Sequence, residues 1–431
     1  MKTLKGKRLL ILGGSRISCE IVRKAQEMGI YTMVTDWYPI EKSPAKQIAD
    51  EAFLVSTADE NEVVHLIKDK NVDGVITGFT DSVLPYYARI CKKAGLPCYG
   101  TEEQFETLIN KRKYKELCKK FGVPTVEEYI IDDSFQVEDF DKITYPVLVK
   151  PADNSGARGI TICRSKEDLI EAYNKAITFS KSKEVLVERY IEGEEVTTFW
   201  IFQEGNIYLT ALGNRHVKHN QEGVIPLPVA YTFPSVYLDR YQREVVPRVK
   251  DMLTSIGIKH GMMFMQCLVE NGNCIVYDIG YRLTGSLEYK LLEKVCGYDP
   301  LDMMIRFALT GSMYDSDLAP LINPDFDQYA ANITFLVTPG VIGKIVGAEE
   351  VKKVPGVIDA VLAHVEGDEI PESAIGTLKQ IVLRAFAVAD TKEELAKIID
   401  QVHSLFYVYS DKGENMLLSN FAIEEMENVV K

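Results

Sequence analysis

Lys150 ends an apolar run, Val147-Leu148-Val149, and is followed by Pro151 and then by the small-residue stretch Asn154-Ser155-Gly156-Ala157-Arg158-Gly159. The run predicts a buried strand. The stretch predicts a loop in which Ser155, Gly156, Ala157 and Gly159 leave room for main-chain N–H groups to approach anionic oxygens. A lysine leaving the strand beside those amides adds a point charge that no neutral residue can supply. Together these groups suit the phosphates of a nucleoside triphosphate, although a strand, a Lys-Pro and a glycine turn are also what an ordinary β-hairpin looks like.

A second concentration of chemistry is Asn214-Arg215-His216-Val217-Lys218-His219-Asn220, expected as a loop between strands. Its cationic and titratable groups stand out in a chain of net charge -14. They make a candidate grip for a substrate carboxylate. His216 and His219 lack a third ligand at metal spacing, so a zinc site does not fit. A third cluster, Lys111, Arg112, Lys113, Lys115, Lys119 and Lys120, falls within one helix-like stretch, where a solvated helix face accounts for most of it.

The elements that must position these groups follow from periodicity. From Lys7 the chain alternates between strand and helix patterns: Arg8 to Leu12, Ser18 to Met28, Tyr31 to Thr35, Glu60 to Lys70, Gly74 to Thr77, Ser82 to Ala94 and a short Pro97-Cys98-Tyr99. That alternation implies a parallel α/β sheet. Gly13-Gly14-Ser15 lies on the first strand-to-helix turn and Asp36 closes the next strand, which imitates a dinucleotide fingerprint. Ile17 and Ser18 stand where a third glycine is wanted, so a structural turn or a small-substrate loop at Gly13 and Gly14 fits better than NAD.

Past Gly100 come the basic helix Asn110 to Phe121, a helix near Ser165 to Ser180, and the strand Val185-Leu186-Val187-Glu188. Val196 to Gln203, Ile207 to Gly213, Met263 to Val269 and Cys274 to Asp278 read as long antiparallel strands, the last two joined by a tight hairpin at Asn271-Gly272. Helices are expected at Leu287 to Cys296 and Asp299 to Leu309. Strands follow near Ala330 to Leu336, Val357 to Val365 and Leu383 to Ala389, with Gly340, Gly343 and Gly347 punctuating a loop, and then a helix over Lys392 to Phe406. No repeat or low-complexity tract is present.

At 431 residues and 46% hydrophobic content the chain can fill two to four compact units. Its acidic balance argues against a surface for nucleic acid or an anionic membrane. No apolar run reaches the length of a spanning helix, and the cysteines form neither a C-x-x-C pair nor a zinc cluster, so reduced thiols and a cytoplasmic location are expected.

Three features read in order, namely Asn110-Lys111 opening a basic helix that ends in Gly122-Val123-Pro124, the segment Tyr145 to Ile160, and Val185-Leu-Val-Glu-Arg-Tyr-Ile-Glu-Gly-Glu-Glu-Val196, resemble the ATP-grasp superfamily of ligases. The likeness covers essentially the whole chain, with features of the carbamoyl-phosphate-synthase, biotin-carboxylase and L-amino-acid-ligase branches. It implies an α/β and α+β fold: an α/β pre-grasp domain over 1–105, a grasp core over 106–316 (a lid at about 111–190 and a large subdomain at about 191–316), and an α+β C-terminal domain over 317–431.

The resemblance also implies roles. Lys111 and Lys150 would hold ATP phosphates beneath a mobile loop containing Ser155, Gly156, Arg158 and Gly159, which would close as a lid over the site. Glu188, Arg189, Tyr190 and Ile191 match the hinge that reads the adenine edge. Glu195 matches the carboxylate that takes the ribose hydroxyls; without the resemblance, Glu188 and Glu195 read equally well as solvated charges at strand ends.

Gln266 and Asp278, on the paired strands of the Asn271-Gly272 hairpin, would offer oxygen to one Mg²⁺, with Mn²⁺ as a substitute. The family pattern continues from the acidic residue through one spacer to Asn, but here Asp278-Ile279 is followed by Gly280, which has no ligating side chain. Glu288 is the candidate replacement, with a helix-dipole role for that glutamate as the alternative. Arg282 matches the arginine placed against the transferring phosphate, and it and Lys150 are the candidate catalytic residues.

The implied activity joins a small carboxylate, such as an amino acid, to an amine through an acyl phosphate, with release of ADP and phosphate. A purine-pathway or carbamoyl-phosphate-like ligase is the nearest alternative; only one grasp unit is visible, and nothing resembles a glutamine-hydrolysing site. A nucleotide-binding sensor or assembly protein that has lost ligation is an alternative of another class, favoured by Gly280. Related folds also imply a homodimer.

Overall fold

In the computed structural model, Arg8–Leu12 is buried from Leu9 onward, as its unbroken apolar run requires of a strand covered on both sides. It is an inner strand of a four-stranded parallel sheet in the order Glu51–Phe53, Tyr31–Thr35, Arg8–Leu12, Gly74–Ile76. The structure describes residues 4–131, 135, 140–153, 159–218, 224–426 and 430. Helices Cys19–Glu27, Glu60–Asp69 and Leu84–Ala94 match the expected alternation. Two expectations fail in this region. Pro97 to Tyr99 is not a strand, and the third parallel strand is Glu51–Phe53, whose short and half-exposed sequence carries no strand pattern.

A second four-stranded sheet, antiparallel, runs Glu128–Tyr129, Val185–Arg189, Val147–Pro151, Thr161–Cys163. It has its own small core, in which Val147, Val149 and Val187 meet Leu169, Ala172, Tyr173 and Ala176 of the helix Lys166–Phe179. Ser165 caps that helix by accepting from the Asp168 amide, satisfying an N–H that the helix cannot pair internally.

The largest sheet has eight antiparallel strands. Its order is Asn273–Gly280, Gly261–Glu270, Glu195–Gln203, Asn206–Lys218, Leu227–Phe233, Tyr329–Leu336, Ile381–Ala389, Val357–Leu362. The strand Leu227–Phe233 thus pairs directly with Tyr329–Leu336. The expected hairpin is present: strands end at Glu270 and begin at Asn273, and Asn271 and Gly272 both have positive φ, +53° and +73°, the backbone of a two-residue turn matched to strand twist.

Two expected loops are strands. Asn206–Lys218 continues through the cationic segment, and Gly340–Val346 lies in a three-stranded sheet with Glu369–Ile370 and Tyr407–Ser410. In each case cross-strand pairing overrides a sequence rich in polar residues or glycine. Among the described residues no helix is long and apolar enough to cross a membrane.

Candidate functional site

The helix Lys111–Phe121 buries Lys111, Tyr114, Lys115 and Cys118, a core stripe at i, i+3, i+4, i+7 in which two positions are lysine. Asn110 caps it by accepting from the Arg112 and Lys113 amides. Lys111 Nζ lies 2.9 Å from Asp278 Oδ1. Lys115 Nζ lies 2.6 Å from Glu188 Oε1, and Lys150 Nζ lies 2.7 Å from Glu188 Oε2. Lys150 also donates to the Tyr277 carbonyl at 3.3 Å. Neither Glu188 nor Lys115 is solvated: each is 1% exposed, so a surface role for these charges does not hold. Sequence reasoning grouped Lys115 with a solvated helix face and did not place it in the site.

Electrostatics differ along this chain of charges. Burial disfavours the charged form of Lys111, but Asp278 outweighs it and holds the ammonium above the ordinary lysine range. Burial dominates at Lys150 and, helped by the positive charges of Lys111 and Lys115, pulls its ammonium below that range despite Glu188. Burial pushes Glu188 up, yet Lys150 and Lys115 together hold its carboxyl below the usual range.

Lys111 and Lys150 line a cavity of about 600 Å³ together with Gln266, Asp278, Glu188, Arg189, Tyr190, Ile191 and Glu195. It lies where the small antiparallel sheet faces the eight-stranded sheet, with Phe79 and Asp81 from the N-terminal unit at its wall. Val126, Leu148, Ile160, Ile162, Ile191 and Leu268 give it an apolar portion, which suits a planar ring. Arg189 is held by a bidentate pair to Glu270 at 2.7 and 2.9 Å. Glu195 is engaged by Arg215 and by the Tyr277 hydroxyl, the latter at 2.8 Å.

Gln266 and Asp278 are direct cross-strand partners. This oxygen-only pair fits a hard cation that takes its other ligands from phosphates and water. Among the described residues no group of three or more His, Cys, Asp or Glu could hold a metal alone. Gly280 has its own structural cause. Its cross-strand partner is Phe264, and a Cβ at 280 would stand 2.3 Å from that ring. The Arg282 guanidinium in turn sits 5.1 Å from the Phe264 ring centre. Glycine therefore makes room for an aromatic platform under Arg282, whose fork takes both carboxylate oxygens of Asp81 at 2.6 and 2.8 Å.

Other expected residues lie elsewhere. Glu288 does not line the cavity with Gln266 and Asp278. It precedes the helix Tyr289–Cys296, is buried beside Asn332, and its carboxyl is pushed up by burial. Gly13 and Gly14 are also absent from the cavity wall. The Gly14 amide is taken by Asp36 Oδ2 at 2.9 Å, and a Cβ there would strike Ser43 Oγ, so this turn is filled by the protein's own side chains. Gly159, at φ +77°, packs against Phe179. Ser155, Gly156, Arg158 and His219 lie outside the described residues.

Because the cationic segment is a strand, its side chains alternate between faces. Arg215 and Val217 line the cavity; His216 and Lys218 do not. Lys218 pairs with Glu425. His216 shares a 2.8 Å hydrogen bond with the Thr232 hydroxyl, and its ring centre lies 4.4 Å from that of Phe421, the two rings tilted by 44°. Burial, then the charge of Lys218, pushes His216 down from an ordinary 6.5 to about 3. The unfolded chain therefore binds a proton that the folded chain refuses between those values. His216 contributes nothing above pH 6.5 and costs stability progressively as pH falls toward about 3. Urea midpoints measured against pH should show a shallower acid decline in His216→Gln than in the parent; identical profiles would contradict this assignment.

Residues 110–315 match the family model of the carbamoyl-phosphate synthase L chain ATP-binding domain. That span holds both lysines, Glu188, Asp278 and Arg282. Over that span the chain is similar to the ATP-binding domain of the carbamoyl-phosphate synthase L chain. It is 27% identical over 324 residues to the 2-oxoglutarate carboxylase small subunit of Hydrogenobacter thermophilus, covering 70% of this chain and 66% of that one. The chain thus spans slightly under two thirds of that relative's length.

Among solved structures, the L-amino acid ligase of Bacillus licheniformis superposes with a TM-score of 0.75 at 19% identity, over 94% of this chain and 99% of that one. The biotin carboxylase domain dimer of the H. thermophilus 2-oxoglutarate carboxylase, in complex with MgADP, ADP and bicarbonate, gives 0.74 at 22% identity over 95% and 91%. These likenesses establish the ATP-grasp fold. In that frame the eight-stranded sheet and the small antiparallel sheet are the two layers between which the cavity lies.

Proposed function

We propose that this ATP-grasp protein is an ATP-dependent carboxylate–amine ligase. The observation that carries the proposal is the convergence of Lys111, Lys150 and Asp278, from three separate elements, on one cavity with an apolar portion. Lys111 and Lys150 face the phosphates. The apolar portion beside Arg189, Tyr190 and Ile191 takes adenine, and Glu195 takes the ribose hydroxyls. Gln266 and Asp278 would hold one Mg²⁺, which neutralises phosphate charge when bound; Glu288 is left out because it does not reach this wall.

In the reaction, an oxygen of the substrate carboxylate forms a bond to the γ-phosphorus as the bond to ADP breaks. The amine nitrogen then bonds the acyl carbon, inorganic phosphate leaves, and the amine gives up a proton. Charge spread over the transferring group needs positioned cations more than covalent help. Arg282, held on Phe264 and Asp81, is positioned to meet that charge. An amino acid is the carboxylate we favour, and a purine-pathway or carbamoyl-phosphate-like reaction is the alternative within the superfamily.

The same proposal divides the chain at about 105 and about 316, supported by the limits of the family match at 110 and 315. It includes a homodimer, as the solved biotin carboxylase domain is a dimer. One observation favours a nucleotide-binding protein without ligation, namely the loss of a ligating side chain at Gly280. Phosphate release from ATP in the presence of pooled amino acids and small carboxylates, with and without amines, separates the two. Release that requires a carboxylate supports the ligase; nucleotide binding with no release from any pool favours the second reading.

A further inference from the structure

Among the described residues six cations line the cavity, and five have a carboxylate partner. Lys111 has Asp278, Lys150 has Glu188, Arg189 has Glu270, Arg215 has Glu195, and Arg282 has Asp81. The sixth, Arg384, comes from the C-terminal strand Ile381–Ala389, which sequence reasoning did not connect to the site. It is 6% exposed. Its Nη1 donates to the Thr334 hydroxyl at 2.7 Å across the strand pair, and among the described residues no carboxylate lies within ion-pair distance of it.

An arginine buried without an anion is costly, because its charge has left water without gaining a partner. Burial indeed pulls the Arg384 guanidinium below the usual arginine range, and Arg215 adds repulsion. Glu288 exerts some attraction on it, but burial pushes the Glu288 carboxyl toward its neutral form and its Oε2 has no hydrogen-bond partner. The internal charge balance is thus incomplete at this wall of the cavity, near Arg215 and Tyr231.

We propose that Arg384 is the seat of a substrate carboxylate, a specificity-determining group supplied to the grasp site by the C-terminal strands. A carboxylate in the cavity meets a planar fork that Thr334 holds by one nitrogen, which suits two-point recognition. This rests on the ligase reading for the presence of a carboxylate substrate, and it deepens that reading by naming the group that selects for charge.

The test is equilibrium binding to the full chain in Mg²⁺ with a non-hydrolysable ATP analogue. The probes are acetate, malonate, glutarate and the common L-amino acids, each paired with its neutral amide. The parent should bind at least one carboxylate in preference to its amide. Arg384→Met should weaken that carboxylate at least about thirtyfold and leave the analogue unaffected. Arg384→Lys, which keeps charge but loses the fork, should fall between and provides the reading if the Met variant does not fold.

Equal carboxylate affinity in parent and variants, equal losses for carboxylate and analogue, or no carboxylate bound by the parent would overturn the inference. The readout requires no turnover. Carboxylate held through Arg384 with no phosphate release would sink the ligase and leave Arg384 in place, whereas turnover indifferent to Arg384 would do the reverse.

Discussion

Lys150→Ala is expected to lower carboxylate-dependent phosphate release by at least about a hundredfold, the scale of removing one preorganised stabiliser of a developing charge. The folded chain should survive the change. Lys150 is 2% exposed and its burial is only partly offset by Glu188, whose second oxygen remains paired with Lys115 at 2.6 Å. A buried ammonium so poorly compensated contributes little to stability, which is why its presence is best explained by what enters the cavity. Paired measurements of initial rate and urea midpoint check both halves; near-parental turnover would remove Lys150 from its role.

The second large effect runs the other way, on stability. Among the described residues Glu188 is the one carboxylate that pairs with both Lys115 and Lys150. Glu188→Leu would leave two ammonium groups buried together, with Lys115 keeping a long contact of 4.0 Å to Glu128. Removing one member of a buried charge network typically costs about 3–5 kcal/mol. A corresponding drop in unfolding free energy is expected by urea denaturation, larger than that of Lys150→Ala. A double variant, Glu188→Leu with Lys115→Met, should recover part of the loss, because it removes one of the orphaned charges. Unchanged stability in the single variant would show that Glu188 does not bind the two lysines together.

Local chemistry was legible in the sequence wherever it lay on one element or one hairpin. The Asn271-Gly272 turn sets the register that makes Gln266 and Asp278 partners, and the apolar run before Lys150 sets its burial. What is built between distant segments was not legible. Asp81 meets Arg282 across 201 residues of sequence, and Arg384 arrives on a strand that lies between Tyr329–Leu336 and Val357–Leu362 near one edge of the large sheet. No local spacing encodes either contact.

Lys115 is different, because its signal was present. Positions 111, 114, 115 and 118 form a helical core stripe, and two lysines in such a stripe mark buried, paired charge more readily than a solvated face. The cationic segment shows the opposite error. Taken as a loop, it offered Arg215, His216 and Lys218 together; as a strand it delivers Arg215 alone of the three to the cavity.

On the proposed function, Lys111, Lys150 and Asp278 surround one magnesium-bound triphosphate. Calorimetric titration with a non-hydrolysable ATP analogue, with and without Mg²⁺, tests it most directly in the parent and in Asp278→Asn. One analogue per chain, tight binding only with Mg²⁺, and loss of most of the Mg²⁺ enhancement in Asp278→Asn are expected. An analogue that does not bind, or that binds equally well without Mg²⁺ and regardless of Asp278, would contradict it.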